Sequence, residues 1–203
     1  GFKTHIEVFT TDGECTQVWQ TLGENAWLTG LTSDETGVYA ADYGQRTVWK
    51  LDNEGRLQGR IDGHSPHDDG AGFVTPSPFF DVVANKGVVW ITNPGRQRVE
   101  EYDIHGTKQT QWGHASTAID GFCGCCNPTH LARLGDGRFI TSEKGMPRVK
   151  LYSPEGDLLG AVALSTDFRE GTKGLDLASD GDGRILVLEP QKRRIRIFEE
   201  KAP

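Results

Sequence analysis

Three of the four cysteines of this 203-residue chain lie within four positions, at Cys123, Cys125 and Cys126. His130 follows four residues after the last of them. Thiolate and imidazole groups together form a soft ligand set that suits zinc, copper(I) or iron, including iron–sulfur centres. The same thiols can instead pair as disulfides, either Cys125 with Cys126 or Cys123 with one of them. The spacing leaves both interpretations open, because it matches no zinc-finger or haem-attachment motif.

A second polar cluster lies in the stretch His64, His67, Asp68 and Asp69. Imidazole and carboxylate groups are metal ligands, so we predict that His64 and His67 complete a metal site with the cysteines. The alternative is a solvated polar loop with no ligand, which is the more common role of such a segment.

An internal repeat must position these residues. Gly37, Gly87, Gly137 and Gly183 open matching segments and recur every 46–50 residues. Each segment contains an apolar run, a glycine-led strand, a polar turn and a strand that alternates apolar and polar residues, followed by a weaker fourth strand. Four short strands per unit of this length are typical of a β-propeller blade. A β-sandwich, the alternative all-β fold, would not repeat at constant spacing.

The repeat predicts a single propeller domain over residues 1–203 that holds about four and a half blades. The predicted units are a partial blade at 1–25, blades at 27–62, 75–113 and 128–164, and a last blade at 172–200. Either further blades precede this sequence or the ring closes with fewer units. Long connections at 62–77 and 113–128 fall on one face of the propeller, and long loops in compact domains usually carry function. We therefore expect a site on that face, near the mouth of the central channel.

Arg96, Glu143 and Lys144 fall at turns on the same predicted face. We predict that they bind an anionic cofactor or a carboxylate, because guanidinium and ammonium groups recognise such ligands. The alternative is a structural role in ion pairs between blades. A recurrence of arginine at matching repeat positions favours that alternative; these arginines are Arg46, Arg98, Arg148 and Arg194.

Composition excludes several classes of protein. The chain has 22 Lys and Arg against 29 Asp and Glu, a net charge of −7, which argues against a nucleic acid as partner. No apolar run is long enough to span a membrane. The 26 glycines and nine prolines are unlike the composition of a helical bundle. The sequence has no nucleophile elbow, no phosphate-binding loop and no zinc-protease motif, so we assign no catalytic residue.

The repeats resemble NHL repeats, whose blades combine a proline, an apolar strand, an Asp-rich turn and an Arg-Val strand. Four segments further resemble a bacterial subgroup of NHL-repeat proteins with an FCGCCNPxH motif; they are Gly72–Asp81, Asn93–Arg96, Phe122–His130 and Glu143–Lys150. The resemblance implies an all-β, NHL-type β-propeller of the six-bladed family. It also implies an exported, periplasmic or extracellular protein that accompanies redox or iron–sulfur proteins.

Two functions follow as hypotheses. The first is a non-catalytic binding or assembly module whose cysteine-rich loop holds a metal ion or serves a redox partner. Its partner would be another protein, of the redox or iron–sulfur class, or a chain that completes the propeller. The second is a metal-dependent enzyme, because propellers related to this family include lactonases and a lyase. Its site at the channel mouth would use Asp81, His130 and Asp176. An RNA-binding role is disfavoured by the negative charge.

Overall fold

A computed structural model describes residues 4–64 and 70–200 of the chain. The described residues form seventeen β-strands and three single turns of 3₁₀ helix. Within them, no helix is long and apolar enough to cross a membrane. The strands are β1 Glu7–Phe9, β2 Cys15–Val18, β3 Leu28–Asp34, β4 Gly37–Asp42, β5 Thr47–Leu51, β6 Leu57–Ile61, β7 Val82–Asn85, β8 Val88–Asn93, β9 Arg98–Asp103, β10 Lys108–Trp112, β11 His130–Arg133, β12 Phe139–Ser142, β13 Val149–Tyr152, β14 Leu158–Ala163, β15 Asp176–Ser179, β16 Ile185–Glu189 and β17 Arg194–Phe198. The 3₁₀ turns are Pro94–Arg96, Ser165–Asp167 and Pro190–Lys192.

These strands form five antiparallel sheets in chain order. The first sheet pairs β1 with β2, the next three hold four strands each, and the last holds β15, β16 and β17. Within every sheet each strand pairs with its neighbour in sequence, and the first strands of successive sheets contact one another: β3 with β7, β7 with β11, and β11 with β15. Sheets that fan out from such a shared inner edge form a propeller arrangement, not the two stacked layers of a sandwich.

The second strands of the three four-stranded sheets, β4, β8 and β12, bury both faces, because successive side chains pack alternately against the sheet before and the sheet after. In β4, Ala40 packs with Trp19, which directly follows β2, whereas Tyr39 and Ala41 pack with Phe80 at the start of the next repeat. Further apolar clusters fill the two following interfaces between sheets. The cores therefore lie between blades, and the blade order fixes which loops are neighbours.

Four equivalent positions lie at or next to the start of the inner strands β3, β7, β11 and β15, near the channel mouth. The residues that follow these positions occupy the same register: Gly30 pairs with Ala41, Val82 with Ile91, Leu131 with Thr141, and Leu177 with Val187. In each pair the partner lies four residues after the repeat glycine. The equivalent channel-mouth positions are accordingly Thr29, Asp81, His130 and Asp176.

Candidate functional site

The cysteine-rich loop connects β10 to β11 and is fastened from the β13 side by two buried cations. Arg148 donates hydrogen bonds to the carbonyl oxygens of Ala118 (3.0 Å) and Gly121 (3.1 Å). The ammonium group of Lys150 donates to the same Gly121 oxygen at 2.8 Å. Both side chains are buried, and hydrogen bonds from charged donors are among the stronger ones in proteins. The loop is thus anchored to β13, in the blade that follows it.

Glu143 is the counter-charge that these two cations share. Its carboxylate accepts from Arg148 at 2.8 and 2.9 Å and lies 3.1 Å from the Lys150 ammonium. The backbone N–H of Cys123 also donates to it, at 2.9 Å. Burial lowers the pKa of Lys150, and the charge of Glu143 opposes that shift. The predicted role of Glu143 in ligand binding stays a prediction; the structure places it 1% exposed, among groups of its own chain.

Asn127 closes the loop on its other side. Its side-chain amide donates to the carbonyl oxygens of Cys123 and Lys144, and its oxygen accepts from the Lys144 N–H at 2.9 Å. The peptide bond between Asn127 and Pro128 is cis. A single side chain therefore joins the cysteine segment to the turn between β12 and β13, and it sets where Lys144 stands relative to the thiols.

Replacing Asn127 by Ala is expected to lower the free energy of unfolding by about 1–3 kcal/mol, because buried backbone groups lose their partners. Urea denaturation measures the change. The control is Asn53→Ala at an exposed turn, for which a change below about 0.5 kcal/mol is expected. Equal effects of the two substitutions would show that Asn127 does not hold the loop.

Two of the sulfurs meet at the surface of this loop. The Sγ atoms of Cys125 and Cys126 lie 3.0 Å apart. That separation is too long for a disulfide bond of about 2.05 Å, and all four cysteines are free thiols. Cys125 is exposed, whereas Cys126 is only 8% exposed. The site thus contains a reduced pair with one accessible and one sheltered thiol.

The sheltered thiol lies beside a cation and a hydroxyl. Burial raises the pKa of Cys126, but the Cys125 thiol, the Ser77 hydroxyl and the Lys144 ammonium together outweigh burial and lower it. Interaction with Cys126 raises the pKa of Cys125. Lys144 also donates a hydrogen bond to Ser77 Oγ at 2.8 Å and lies 4.8 Å from the centre of the Phe79 ring. The hydroxyl and ammonium groups that can stabilise a thiolate by hydrogen bonding therefore lie on the Cys126 side of the pair.

Phe79 connects this pair to the channel mouth, where its ring meets His130 edge-on at 5.6 Å between ring centroids. Burial lowers the pKa of His130, and Asp176 opposes the shift. Burial also raises the pKa of Asp81 to about 7, although backbone N–H groups donate to its carboxylate and Asp176 adds to the shift. The channel holds a cavity of about 390 Å³ lined by Asp81, Asp176 and Arg133.

The structure does not gather all predicted ligands at one point. His64 is exposed, and its ring nitrogen Nδ1 lies 2.6 Å from the Gly70 carbonyl oxygen of its own loop. His67 lies outside the described residues. Arg96 ends the Pro94–Arg96 turn between β8 and β9. Within residues 4–64 and 70–200, no three His, Cys, Asp or Glu side chains are arranged to hold a metal ion. The metal-ligand set thus stays a prediction.

The sequence analysis missed three residues that shape the site: Ser77, Gln97 and Asn127. Ser77 lies 67 positions from its partner Lys144. Gln97 donates from its side chain to the Gly124 carbonyl oxygen at 2.9 Å, and so links the turn between β8 and β9 of the preceding blade to the cysteine loop. The one feature of the sequence that could have pointed to these three residues is their position, because each lies in or beside a segment that carries the family resemblance.

No family model matches the sequence, and neither does any curated protein sequence. Solved β-propeller structures match it in fold. They include virginiamycin B lyase from Staphylococcus aureus (12% identity, TM-score 0.60, covering 99% of this chain and 64% of that one) and Myxococcus xanthus glutaminyl cyclase (14%, 0.59, 92% and 77%). A structure of a nidogen–laminin complex matches with 14% identity and a TM-score of 0.60, and the match covers 91% of this chain and 68% of that one. The chain thus spans about two thirds of the length of these structures and is an all-β chain with a propeller arrangement.

Proposed function

We propose that this chain belongs to a six-bladed, NHL-type propeller that acts as a non-catalytic binding module and presents Cys125 and Cys126 as a redox-active dithiol. One observation carries the proposal: the two sulfurs lie 3.0 Å apart on a loop whose backbone is fastened by buried ion pairs. A dithiol and a disulfide interconvert by exchange with a second thiol–disulfide pair. The function is therefore two-electron exchange with a partner protein.

The hydrogen bonds around the loop support this proposal over a purely structural role for the cysteines. Asn127 and Glu143 fix the loop through hydrogen bonds of their own, so it does not need a disulfide to hold its shape. Cys125 is exposed on the face that carries the long connections between blades. A redox partner can thus reach one sulfur of the pair without opening the fold.

The partner is proposed to be another protein, of the redox or iron–sulfur class, and the location to be the periplasm or the cell exterior. Oxidising compartments are where protein disulfides form and persist, which suits a pair that alternates between thiol and disulfide. A chain that completes the propeller is a second proposed partner. Ile195 and Ile197 on β17 are exposed by 59% and 58%, a face that a further blade would cover.

A metal site is the competing use of the same thiols. Zinc, copper, iron or an iron–sulfur centre would draw on Cys123, Cys125, Cys126 and His130. His130 instead packs against Phe79 at the channel, and among residues 4–64 and 70–200 no three His, Cys, Asp or Glu side chains are arranged around a common point that could hold a metal ion. Binding of a metal by all four groups would require the loop to rearrange. The geometry favours the dithiol.

Equilibration of the protein in glutathione buffers of graded redox potential tests the proposal. We expect one internal disulfide, mapped by mass spectrometry to Cys125 and Cys126, and its loss in Cys125→Ser and Cys126→Ser. Cys15→Ser, at an exposed cysteine on β2, is the matched control and keeps the disulfide. Retention of all thiols at every potential would refute the proposal. So would purification with one metal ion per chain whose removal frees the loop thiols.

The second candidate is a metal-dependent enzyme of the lactonase or lyase type. The observation that favours it is the channel mouth, where Asp81, His130 and Asp176 occupy equivalent positions on successive blades. Propeller enzymes are among the structures with this fold. Turnover of a lactone panel that requires an added divalent cation, is lost in His130→Ala and survives in Cys125→Ser would favour the enzyme.

A further inference from the structure

The two thiols of the pair differ in access, and this difference gives an exchange reaction a direction. Cys125 is exposed and Cys126 is sheltered. A thiolate that attacks a disulfide must approach one sulfur and expel the other. In a disulfide between these residues, an incoming thiolate would reach Cys125 Sγ and expel Cys126 Sγ.

The surroundings of Cys126 suit a departing thiolate. The Lys144 ammonium and the Ser77 hydroxyl lie beside its sulfur and are hydrogen-bonded to each other at 2.8 Å. The backbone of Lys144 is fixed by the Asn127 side chain, which accepts a hydrogen bond from the Lys144 N–H and donates one to the Lys144 carbonyl oxygen. A positive charge fixed next to a sulfur favours its release, since better-stabilised thiolates leave faster.

Adjacent positions in the chain also favour reduction over oxidation. Consecutive Cα atoms are about 3.8 Å apart across a trans peptide, below the usual range of about 4.4–6.8 Å between bridged cysteines. A disulfide between neighbours is consequently strained and more readily reduced, and strained exposed disulfides tend to be the labile or catalytic ones. The pair is suited to accept electrons.

We propose that the oxidised site accepts two electrons from a dithiol protein by attack at Cys125, with Cys126 as the leaving group. This inference rests on the proposed function and specifies its partner class and direction. The partner thiolate bonds to Cys125 Sγ while the Cys125–Cys126 bond breaks and its electron pair passes to Cys126 Sγ. The partner's second thiolate then bonds to the partner's first sulfur and releases Cys125 as a thiolate. The site ends as a dithiol, the partner as a disulfide, and a more oxidising disulfide restores the starting state.

The position of attack can be read directly. The protein, carrying Cys15→Ser and Cys123→Ser, is oxidised with glutathione disulfide, mixed with reduced glutathione, and quenched with iodoacetamide. Fragmentation of the loop peptide then locates each label. We expect glutathione on Cys125 and the alkyl group on Cys126, in at least about tenfold excess over the reverse arrangement. An equal or reversed distribution overturns the inference. Failure of any Cys125–Cys126 disulfide to form refutes the proposed function instead.

The role of the cation has its own test. Lys144→Met keeps the aliphatic stem over Phe79 but removes the charge, so the rate of reduction by glutathione is expected to fall about three- to tenfold. The matched control is Lys173→Met, at an exposed lysine in the connection that follows β14, for which the rate stays within about twofold. An unchanged unfolding midpoint in Lys144→Met confirms that the fold persists. Equal rates in the parent and Lys144→Met, with the fold intact, would exclude Lys144 as the group that stabilises the leaving thiolate.

Discussion

Replacing Glu143 by Gln is expected to lower the free energy of unfolding by about 3–5 kcal/mol. The substitution leaves the guanidinium of Arg148 and the ammonium of Lys150 buried without their counter-charge. Removal of one partner from a buried ion pair is costly because the remaining charge has already lost its water. Urea denaturation at neutral pH measures the loss, provided that the slope of the transition stays constant.

The same substitution also loosens the cysteine loop, because the Cys123 N–H loses a charged acceptor. Hydrogen exchange at that amide is expected to accelerate more than exchange in the β8–β9 hairpin, whose backbone pairing is untouched. Glu155→Gln, at an exposed turn, serves as control and changes stability by less than about 0.5 kcal/mol. A loss below about 1 kcal/mol for Glu143→Gln would mean that water or a structural shift compensates the two cations.

Glu143 was predicted to bind a ligand, and the structure buries it between two cations of its own chain. The surroundings of such a side chain are harder to predict from sequence than the strands are. Period-two alternation and the spacing of Gly37, Gly87 and Gly137 predict strands and blades, because both depend on local backbone preferences. Propeller topology then places the cysteine loop near the channel mouth. Whether Glu143 faces water or two cations depends on how β13 packs beneath the loop, which no local pattern encodes.

Contacts between side chains of different blades could not be predicted from the sequence either. Ser77 and Lys144 are brought together by the packing of two successive repeats, and nothing in a proline-rich segment marks one serine as the partner of a distant lysine. The difference in exposure between Cys125 and Cys126 likewise arises from the surrounding side chains. Sequence reasoning could identify the thiols, but it could not distinguish their roles.

Titration of Asp81 is expected to make a contribution to the free energy of unfolding that falls as pH rises. Its folded-state pKa of about 7 exceeds the ordinary value of 3.8, so the folded protein binds a proton that the unfolded chain releases. The sign follows from linkage: this contribution is complete below about pH 4 and is lost as pH rises through about 7. A shift of about three pKa units corresponds to about 4 kcal/mol.

Urea denaturation of the parent and of Asp81→Asn from pH 4 to 8 isolates this component. Carboxylates with lowered pKa values, such as Asp34 and Asp136, give the opposite slope in both proteins and cancel in the difference. The stability of the parent minus that of the variant is expected to fall by about 4 kcal/mol across the range, whatever the constant offset from the altered hydrogen bond to Leu131.

Asp176→Asn provides the discriminating control for Asp81. Charge on Asp176 helps to raise the pKa of Asp81, although burial is the larger cause. Without that charge, the decline in stability is expected to move to lower pH and to shrink without disappearing. The other titratable group close by, His130, has its pKa lowered by burial, so its contribution to stability falls as pH falls and has the opposite slope to that of Asp81. Parallel pH profiles for the parent and Asp81→Asn would show that Asp81 remains charged at the channel mouth, where a bound cation or water must then solvate it.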